Sequence, residues 1–373
     1  MPRKTFIQGY PHQIGGHCGS GAMRDLLHWH GLGWDGPPSE GLVFTLGGAL
    51  GLSYLRSNAL VPPLYLVGRG ADFEVDLPRR LGGQVQVLTT DDPEEGWSWV
   101  RDEIDSGRPS LVWGDIAELP YLRVQMQMSR HDIVVIGYDE DAGVAFVVDN
   151  DRAEVQEVPF DSLARARSST SFPQPTRHCT YRITWPSALP TIGDTAAAAF
   201  RQSADNMRQA SGASIADLTV ASGAEGLAAA AALAADVHTW ADLPDDELEI
   251  LLFSLGAFIE KAGTGGGLFR RLLAEGCAEV ARLTGDLATA DLAQAADCCA
   301  RAWTETARAG IQRGADVRAR LDAVVEAAGR LPKEETDLVE ALELASSSLA
   351  TADHSPSCRG NKVTSPLCKT KLL

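Results

Sequence analysis

Three side chains in this sequence, a thiol, an imidazole and a carboxylate, have the types and settings for nucleophilic catalysis. Cys18 lies in the run Gly15-Gly16-His17-Cys18-Gly19-Ser20, and Ala22, Met23, Leu26, Leu27 and His30 follow at spacings of three and four. That spacing is one face of a helix with Gly31 as its C-cap, which puts Cys18 in or just before the first turn. There the unsatisfied backbone N–H groups and the helix dipole favour an anion. A free thiol has a pKa of about 8.5, so a helix end and a neighbouring imidazolium both move it toward the nucleophilic thiolate. The flanking glycines let the backbone approach closely, and the Cys18 N–H can then face a developing oxyanion. The competing reading is a small, inert, buried cysteine at a helix start.

The imidazole and carboxylate come from one hairpin. Ile133-Val134-Val135-Ile136 is an apolar run that ends at Gly137, and Val144 to Val148 is a second, with Asp139-Glu140-Asp141-Ala142-Gly143 as the turn between them. In an antiparallel pair the residue before the first strand and the residue after the second lie side by side. His131 and Asp149 hold those places, so the carboxylate can fix the imidazole tautomer and stabilise its charged form. Asn150, Asp151 and Asp132 compete with Asp149 for that role. A thiol, a base and an orienting carboxylate together imply acyl transfer through a thioester.

Strands are expected at Leu64–Gly68, Gln84–Thr89, Ser110–Trp113, Ile133–Gly137, Val144–Asp149, Ala153–Pro159 and Cys179–Trp185. Helices are expected at Cys18–His30, Gly47–Ser57, Asp72–Leu81, Pro93–Ser106 and Phe160–Arg167. A helix first and strands later is an α+β arrangement. Pro186-Ser187-Ala188-Leu189-Pro190 marks a linker, after which alanine rises and strand signals vanish. Helices are expected near 192–210, 214–218, 222–238, 244–262, 266–284, 288–309 and 315–330, with a last one up to Ala350. The domains are therefore 1–190, an all-helical 191–350, and a Ser-, Pro-, Lys- and Thr-rich tail at 351–373 that reads as disordered.

The stretch Gly16-His17-Cys18-Gly19-Ser20-Gly21-Ala22-Met23-Arg24-Asp25-Leu26-Leu27, the run Ser39 to Gly48, and His131 through Tyr138 with Asp149 resemble the N-terminal domain of butirosin biosynthesis protein H. More distantly they look like papain-like peptidases. Ile259 to Arg271 is similar to the signature of the helical domain that often follows. The resemblance spans roughly residues 8 to 325. It implies a papain-like domain, with the nucleophile helix on an antiparallel sheet, followed by an all-helical domain. It also implies a cysteine-dependent N-acyltransferase that takes an acyl group from an acyl carrier protein thioester and forms an amide in antibiotic biosynthesis. Carried over residue by residue, Cys18 is the nucleophile, His131 the base and Asp149 the orienter. Gln13 and His17 are the side chains offered for the oxyanion, although the papain spacing of a glutamine six residues ahead falls on His12. Glu40, Gly265, Gly266, Arg270 and Arg271 are the residues offered for substrate or carrier docking.

The Gly263-Thr264-Gly265-Gly266-Gly267 loop before Arg270-Arg271 can present N–H groups and cations to a phosphate such as that of phosphopantetheine. It also reads as a tight helix–helix turn. The net charge of −17 excludes nucleic acid as a natural partner and suits a small, polycationic amine acceptor. An acidic carrier protein needs a local basic patch, for which Arg79-Arg80, Arg165/Arg167/Arg177 and Arg270-Arg271 are the candidates. Acyl-CoA is the alternative donor, and a homodimer is compatible with the length. Seven cysteines without regular spacing argue against a disulfide framework and against a zinc site, and no cofactor is implied. With no signal-peptide pattern and no membrane-length apolar run, a cytoplasmic enzyme fits. The other readings of the same residues are a cysteine hydrolase (peptidase, amidase or thioesterase) and a non-catalytic binding protein.

Overall fold

The computed structural model describes residues 4–70, 72–209 and 222–352. In chain order the elements are β1 (Lys4–Phe6), α1 (Cys18–Trp29), α2 (Glu40–Leu46), β2 (Leu50–Arg56), β3 (Leu64–Arg69), α3 (Phe73–Arg80), β4 (Gln84–Leu88), α4 (Pro93–Asp105), β5 (Ser110–Gly114), β6 (His131–Asp139), β7 (Val144–Val148), β8 (Gln156–Pro159), α5 (Phe160–Arg167) and β9 (Thr180–Thr184). They continue as α6 (Ile192–Arg208), β10 (Ser222–Glu225), α7 (Leu227–Thr239), α8 (Asp245–Glu260), α9 (Arg270–Thr284), α10 (Leu287–Gly310), α11 (Val317–Ala328) and α12 (Leu331–Ala352). The architecture is α+β, with an antiparallel sheet in the N-terminal part and a helical C-terminal region.

The main sheet runs β4-β9-β5-β6-β7-β8, and β1 pairs with the end of β6 beyond β5. Its centre is the apolar run predicted from the sequence: Ile133, Val134, Val135 and Ile136 are all buried. The β6–β7 pairing sets Val134 opposite Val148, which leaves His131 and Asp149 at one end of the hairpin. Helix α1 packs against β6 through Met23, Leu26 and Leu27, and this burial carries the Cys18 end of the helix to the same end of the sheet.

Three differences from the sequence reading bear most on the architecture. The expected helix at Gly47–Ser57 is strand β2. Leu50, Leu52, Tyr54 and Leu55 are all buried, as suits a strand lying between two others, and Gly51 lies so close to the Arg69–Gly70 backbone that a Cβ would stand 2.9 Å from it. The short helix before it, α2, was not anticipated. It is capped by Ser39, whose hydroxyl accepts from the Leu42 amide at 3.0 Å. The expected helix at 222–238 begins as strand β10, which pairs with β2, Ser222 opposite Arg56, and turns into α7 only after Gly226 at φ +60°.

A second sheet of order β10-β2-β3 follows from this. Helices α6, α7 and α8 pack against it, so the C-terminal region is not wholly helical and residues 50–69 belong physically to its core. Helix α9 starts at Arg270 rather than 266, because Gly263, Gly265, Gly266, Gly267, Leu268 and Phe269 all have positive φ. The helix expected at 214–218 and the tail from 353 lie outside the described residues. No helix among the described residues is long and apolar enough to cross a membrane.

Candidate active site

Cys18 is the first residue of α1, and its amide therefore has no intrahelical acceptor. The helix is capped by the preceding side chain: His17 Nδ1 accepts from the Ser20 amide at 3.1 Å. The His17 ring is 2% exposed and lies edge-on to Phe44, Phe73 and Phe269, with centroids 5.2 to 6.3 Å away.

The loop leading to Cys18 is fastened from four directions. Gly15 exchanges hydrogen bonds with Asn150: its amide donates to the Asn150 carbonyl at 2.9 Å, and Asn150 Nδ2 donates to its carbonyl at 3.1 Å. Glu40 accepts from the amides of Gly16 and His17, each at 2.8 Å, and from the Ser20 hydroxyl at 2.9 Å. Arg24 reaches back from α1 to the carbonyls of Ile14 and Gln13 at 3.1 and 2.5 Å. Gly265, from the helical region, donates to the Gly16 carbonyl at 3.0 Å.

Across from the thiol, His131 Nε2 and Asp149 Oδ2 are 2.7 Å apart, with Asp149 2% exposed. Asp149 Oδ2 also accepts from the Tyr121 hydroxyl at 2.7 Å, and its Oδ1 from the Asp151 amide at 3.1 Å. With Nε2 committed to the carboxylate, Nδ1 is the nitrogen left for sulfur. Cys18 and His131 each shift the other's ionisation.

Burial works to raise the Cys18 thiol, but the imidazoles of His17 and His131 outweigh it and hold the thiol well below its ordinary value. Burial likewise opposes a charged His131, yet the Asp149 carboxylate and the Cys18 sulfur hold the imidazole well above its ordinary value. Asp149 is kept below the usual carboxylate range: against its burial stand His131, Tyr121 and the Asp151 amide. A thiol pushed down and an imidazole pushed up are the directions that favour a thiolate–imidazolium pair.

The structure brings Cys18, His131 and Asp149 together and disperses the competing orienters. Asn150 clamps Gly15, and Asp151 is exposed beside Arg152. Asp132 faces the sulfur instead of the imidazole, with Oδ2 3.7 Å from Cys18 Sγ. For the oxyanion, Gln13 has an exposed side chain, and its hydrogen bonds among the described residues run through its main chain. His12 spends both ring nitrogens on Asp25 Oδ2 at 2.9 Å and the Arg152 carbonyl at 2.7 Å, which leaves neither for a ligand. His17 stands beside the thiol as the helix cap.

The docking residues read from the sequence fall differently. Glu40 is occupied by the nucleophile loop and is not presented to a ligand. Gly265 touches Gly16, and Gly266 is buried against the Arg271 guanidinium. Arg270 is fully buried: it pairs with Glu335 at 2.8 Å and donates to the carbonyls of Gly51, Gly68 and Leu268, which removes it from any basic surface patch. Arg271 is exposed and bonds Thr304 at 3.3 Å. Of the other arginines, Arg167 is buried on the carbonyls of Gly96 and His178, the half-buried Arg80 donates to that of Leu46, and the exposed Arg165 and Arg177 are paired with Glu118 and Asp91.

Tyr121, Asp132 on the sulfur, and the clamps from Glu40 and Gly265 were not read from the sequence. Tyr121 lies in an irregular segment with no periodicity to flag it.

No curated protein matches the chain. A family model described as butirosin biosynthesis protein H, N-terminal, matches residues 17–150, the segment that carries Cys18, His131 and Asp149. A second, described as a domain of unknown function (DUF4872), matches residues 161–342. It starts ahead of the Pro186–Pro190 linker and takes in α5 and β9 of the main sheet. The chain thus has the architecture of the butirosin biosynthesis protein H type, that N-terminal domain followed by DUF4872.

Proposed function

We propose that this protein is a papain-like, cysteine-dependent N-acyltransferase of antibiotic or related secondary metabolism. It moves an acyl group from a thioester donor, carried on an acyl carrier protein or coenzyme A, to a small amine. The observation that carries the reading is the 2.7 Å His131–Asp149 hydrogen bond, together with the opposed shifts of Cys18 and His131, the thiol pushed down and the imidazole pushed up. The likeness of residues 17–150 to butirosin biosynthesis protein H supports the biosynthetic setting.

In the first half-reaction the Cys18 thiolate attacks the donor carbonyl carbon. A carbon–sulfur bond to Cys18 forms, the bond to the donor sulfur breaks, and the leaving thiolate takes the proton from the His131 imidazolium. The oxyanion between these events lies at the α1 N-terminus, where the Cys18 amide is free to donate. In the second half-reaction a neutral amine attacks the acyl-enzyme. His131 removes a proton from the attacking nitrogen, the carbon–sulfur bond breaks, and the amide leaves with the ion pair restored. Asp149 holds the imidazole for both steps.

Transfer instead of hydrolysis requires water to be kept from the acyl-enzyme. The contact of Gly265 and Phe269 with the Gly16–His17 segment supports a part for the helical region in covering the cleft. The test is intact-mass analysis of the protein incubated with a panel of acyl thioesters and then with polyamines. The expected result is a covalent acyl adduct lost in Cys18→Ala and converted to amide as amine concentration rises. An adduct on another residue refutes the nucleophile, and free acid at every amine concentration refutes transfer in favour of a hydrolase.

A further inference from the structure

Behind the nucleophile lies a second set of ionisable groups that the acyl-transfer scheme does not use. Asp132, the residue after His131, is 1% exposed and has Oδ2 3.7 Å from Cys18 Sγ, while its Oδ1 has no hydrogen-bond partner among the described residues. Glu74, from the first turn of α3, is fully buried beside it. Gly19 marks how closely they approach: a Cβ there would lie 2.9 Å from Glu74 Oε1 and 3.1 Å from Asp132 Oδ2. Glu74 has its own cation, Arg130, at 2.9 Å, and Asp132 forms no ion pair among the described residues.

We propose that Asp132 is protonated at neutral pH and donates its hydrogen bond to the Cys18 sulfur, acting as a positioning residue that stabilises the thiolate. This rests on reading Cys18 as the nucleophile.

The charges around the site support it. Facing Asp132 are Cys18 and His17 from α1, Glu74 from α3, Arg69 from β3, Arg130 and His131 at the start of β6, and Cys179 and Tyr181 beside and within β9. Burial pushes Cys179 up to about 12 and Tyr181 further still, so both stay neutral and supply no counter-charge. The anions beside Asp132 are Glu74, which has Arg130 as its own cation, and the Cys18 thiolate. An ionised Asp132 would put a further anion against the sulfur and disfavour the form that reacts. Burial first, and then the charges of Glu74 and Cys18, drive the Asp132 carboxyl well above its ordinary range, whereas Arg130 keeps Glu74 below its own. Of two buried carboxyls near one another, the one without a cation keeps the proton.

The experiment is the pH dependence of Cys18 alkylation by iodoacetamide in the full-length protein, followed by intact mass. It compares the wild type with Asp132→Asn and Asp132→Ala. Asn has the shape of the protonated acid, keeps a donor and cannot ionise, so its midpoint is expected within about half a pH unit of the wild type. Ala removes the donor, and its midpoint is expected to rise by about one unit, a roughly tenfold loss of thiolate below it. A midpoint that falls by a unit or more in Asp132→Asn shows that Asp132 was charged and overturns the proposal. An unmoved midpoint in Asp132→Ala overturns the hydrogen bond. If the Ala variant does not fold, the infrared carbonyl band of a protonated carboxyl decides: it must be present in the wild type and lost in Asp132→Asn, and its absence from the wild type refutes the assignment. Alkylation needs no acyl donor, so this result stands apart from the acyl-adduct test of the transferase reading.

Discussion

Gly265 donates its amide hydrogen to the carbonyl of Gly16 at 3.0 Å, joining a loop of the helical region to the backbone two residues ahead of the Cys18 thiol. The approach requires Gly16 to lack a side chain: a Cβ there would lie 2.6 Å from the Gly265 Cα, a backbone atom that cannot swing aside. Phe269 reinforces the contact by packing on His17, the cap of the nucleophile helix. The helical region therefore sets the position of the thiol as directly as α1 does.

Gly16→Ala is accordingly expected to cost reactivity more than stability. The displaced loop carries the His17 cap with it, and we expect Cys18 alkylation at neutral pH to slow about tenfold or more for a loss of roughly 1–3 kcal/mol in unfolding free energy. Parallel alkylation kinetics and denaturant unfolding check this. Wild-type kinetics in the variant would show that the loop contact does not position the sulfur.

The ion pair makes a prediction about pH. The thiol is held below its ordinary value and the imidazole above its own, the directions that favour a thiolate–imidazolium pair. Iodoacetamide alkylation of Cys18 should be nearly flat through neutral pH, while a free thiol in a peptide gains about tenfold per unit. In His131→Ala the flat region should vanish and the rate climb with pH as a free thiol's does. A wild-type profile that climbs in the same way would disprove the pair.

Those three residues were legible in the sequence because each sits at the boundary of a periodic segment: Cys18 opens a helical stripe, His131 precedes an apolar run and Asp149 follows one. What could not be read depended on contacts distant in sequence. Glu40 has the appearance of a ligand-binding acid, yet it satisfies the amides of Gly16 and His17, 24 and 23 positions away. Arg270 beside Arg271 looks like a basic patch, but it is buried on Glu335, 65 positions on. Strand β2 was misread because Gly47-Gly48 and the leucines resemble a helix start, while its partner β10 lies in the alanine-rich half of the chain, where no strand was expected.

In the proposed mechanism Asp149 couples catalysis to stability. Its carboxyl is held below the usual range against the opposing effect of burial, chiefly by His131 and Tyr121. It therefore contributes stability above the ordinary carboxylate range that is lost as pH falls through the folded-state value. His131, raised, contributes below the ordinary imidazole value and loses that contribution as pH rises through its own. Asp149→Asn should flatten the acid limb of melting temperature against pH and lower acyl transfer by about 10³-fold, since the amide stabilises neither the tautomer nor the charge. Tyr121→Phe removes one hydrogen bond to the same oxygen and should cost only about 1 kcal/mol, or several-fold in rate. Equal losses in the two variants would contradict the assignment of Asp149 as the orienting group.

Arg270 and Glu335 give a prediction about the helical region. Both are fully buried, and Glu335 also accepts from Trp303 Nε1 at 2.6 Å. Truncating either partner leaves a charge without its counter-ion in a dry core, so Arg270→Ala and Glu335→Ala are each expected to lose about 3–5 kcal/mol of stability. Replacing both by apolar residues of similar volume, Arg270→Met with Glu335→Leu, should recover much of that loss, because no lone charge remains, although the carbonyls of Gly51 and Gly68 lose their donor. Had Arg270 been a carrier-docking residue, its truncation would instead weaken donor binding at unchanged stability. Denaturant unfolding of the three variants, with the donor KM measured in whichever fold, separates the two roles: a stable Arg270→Ala with a raised KM would return Arg270 to the surface role that its burial denies.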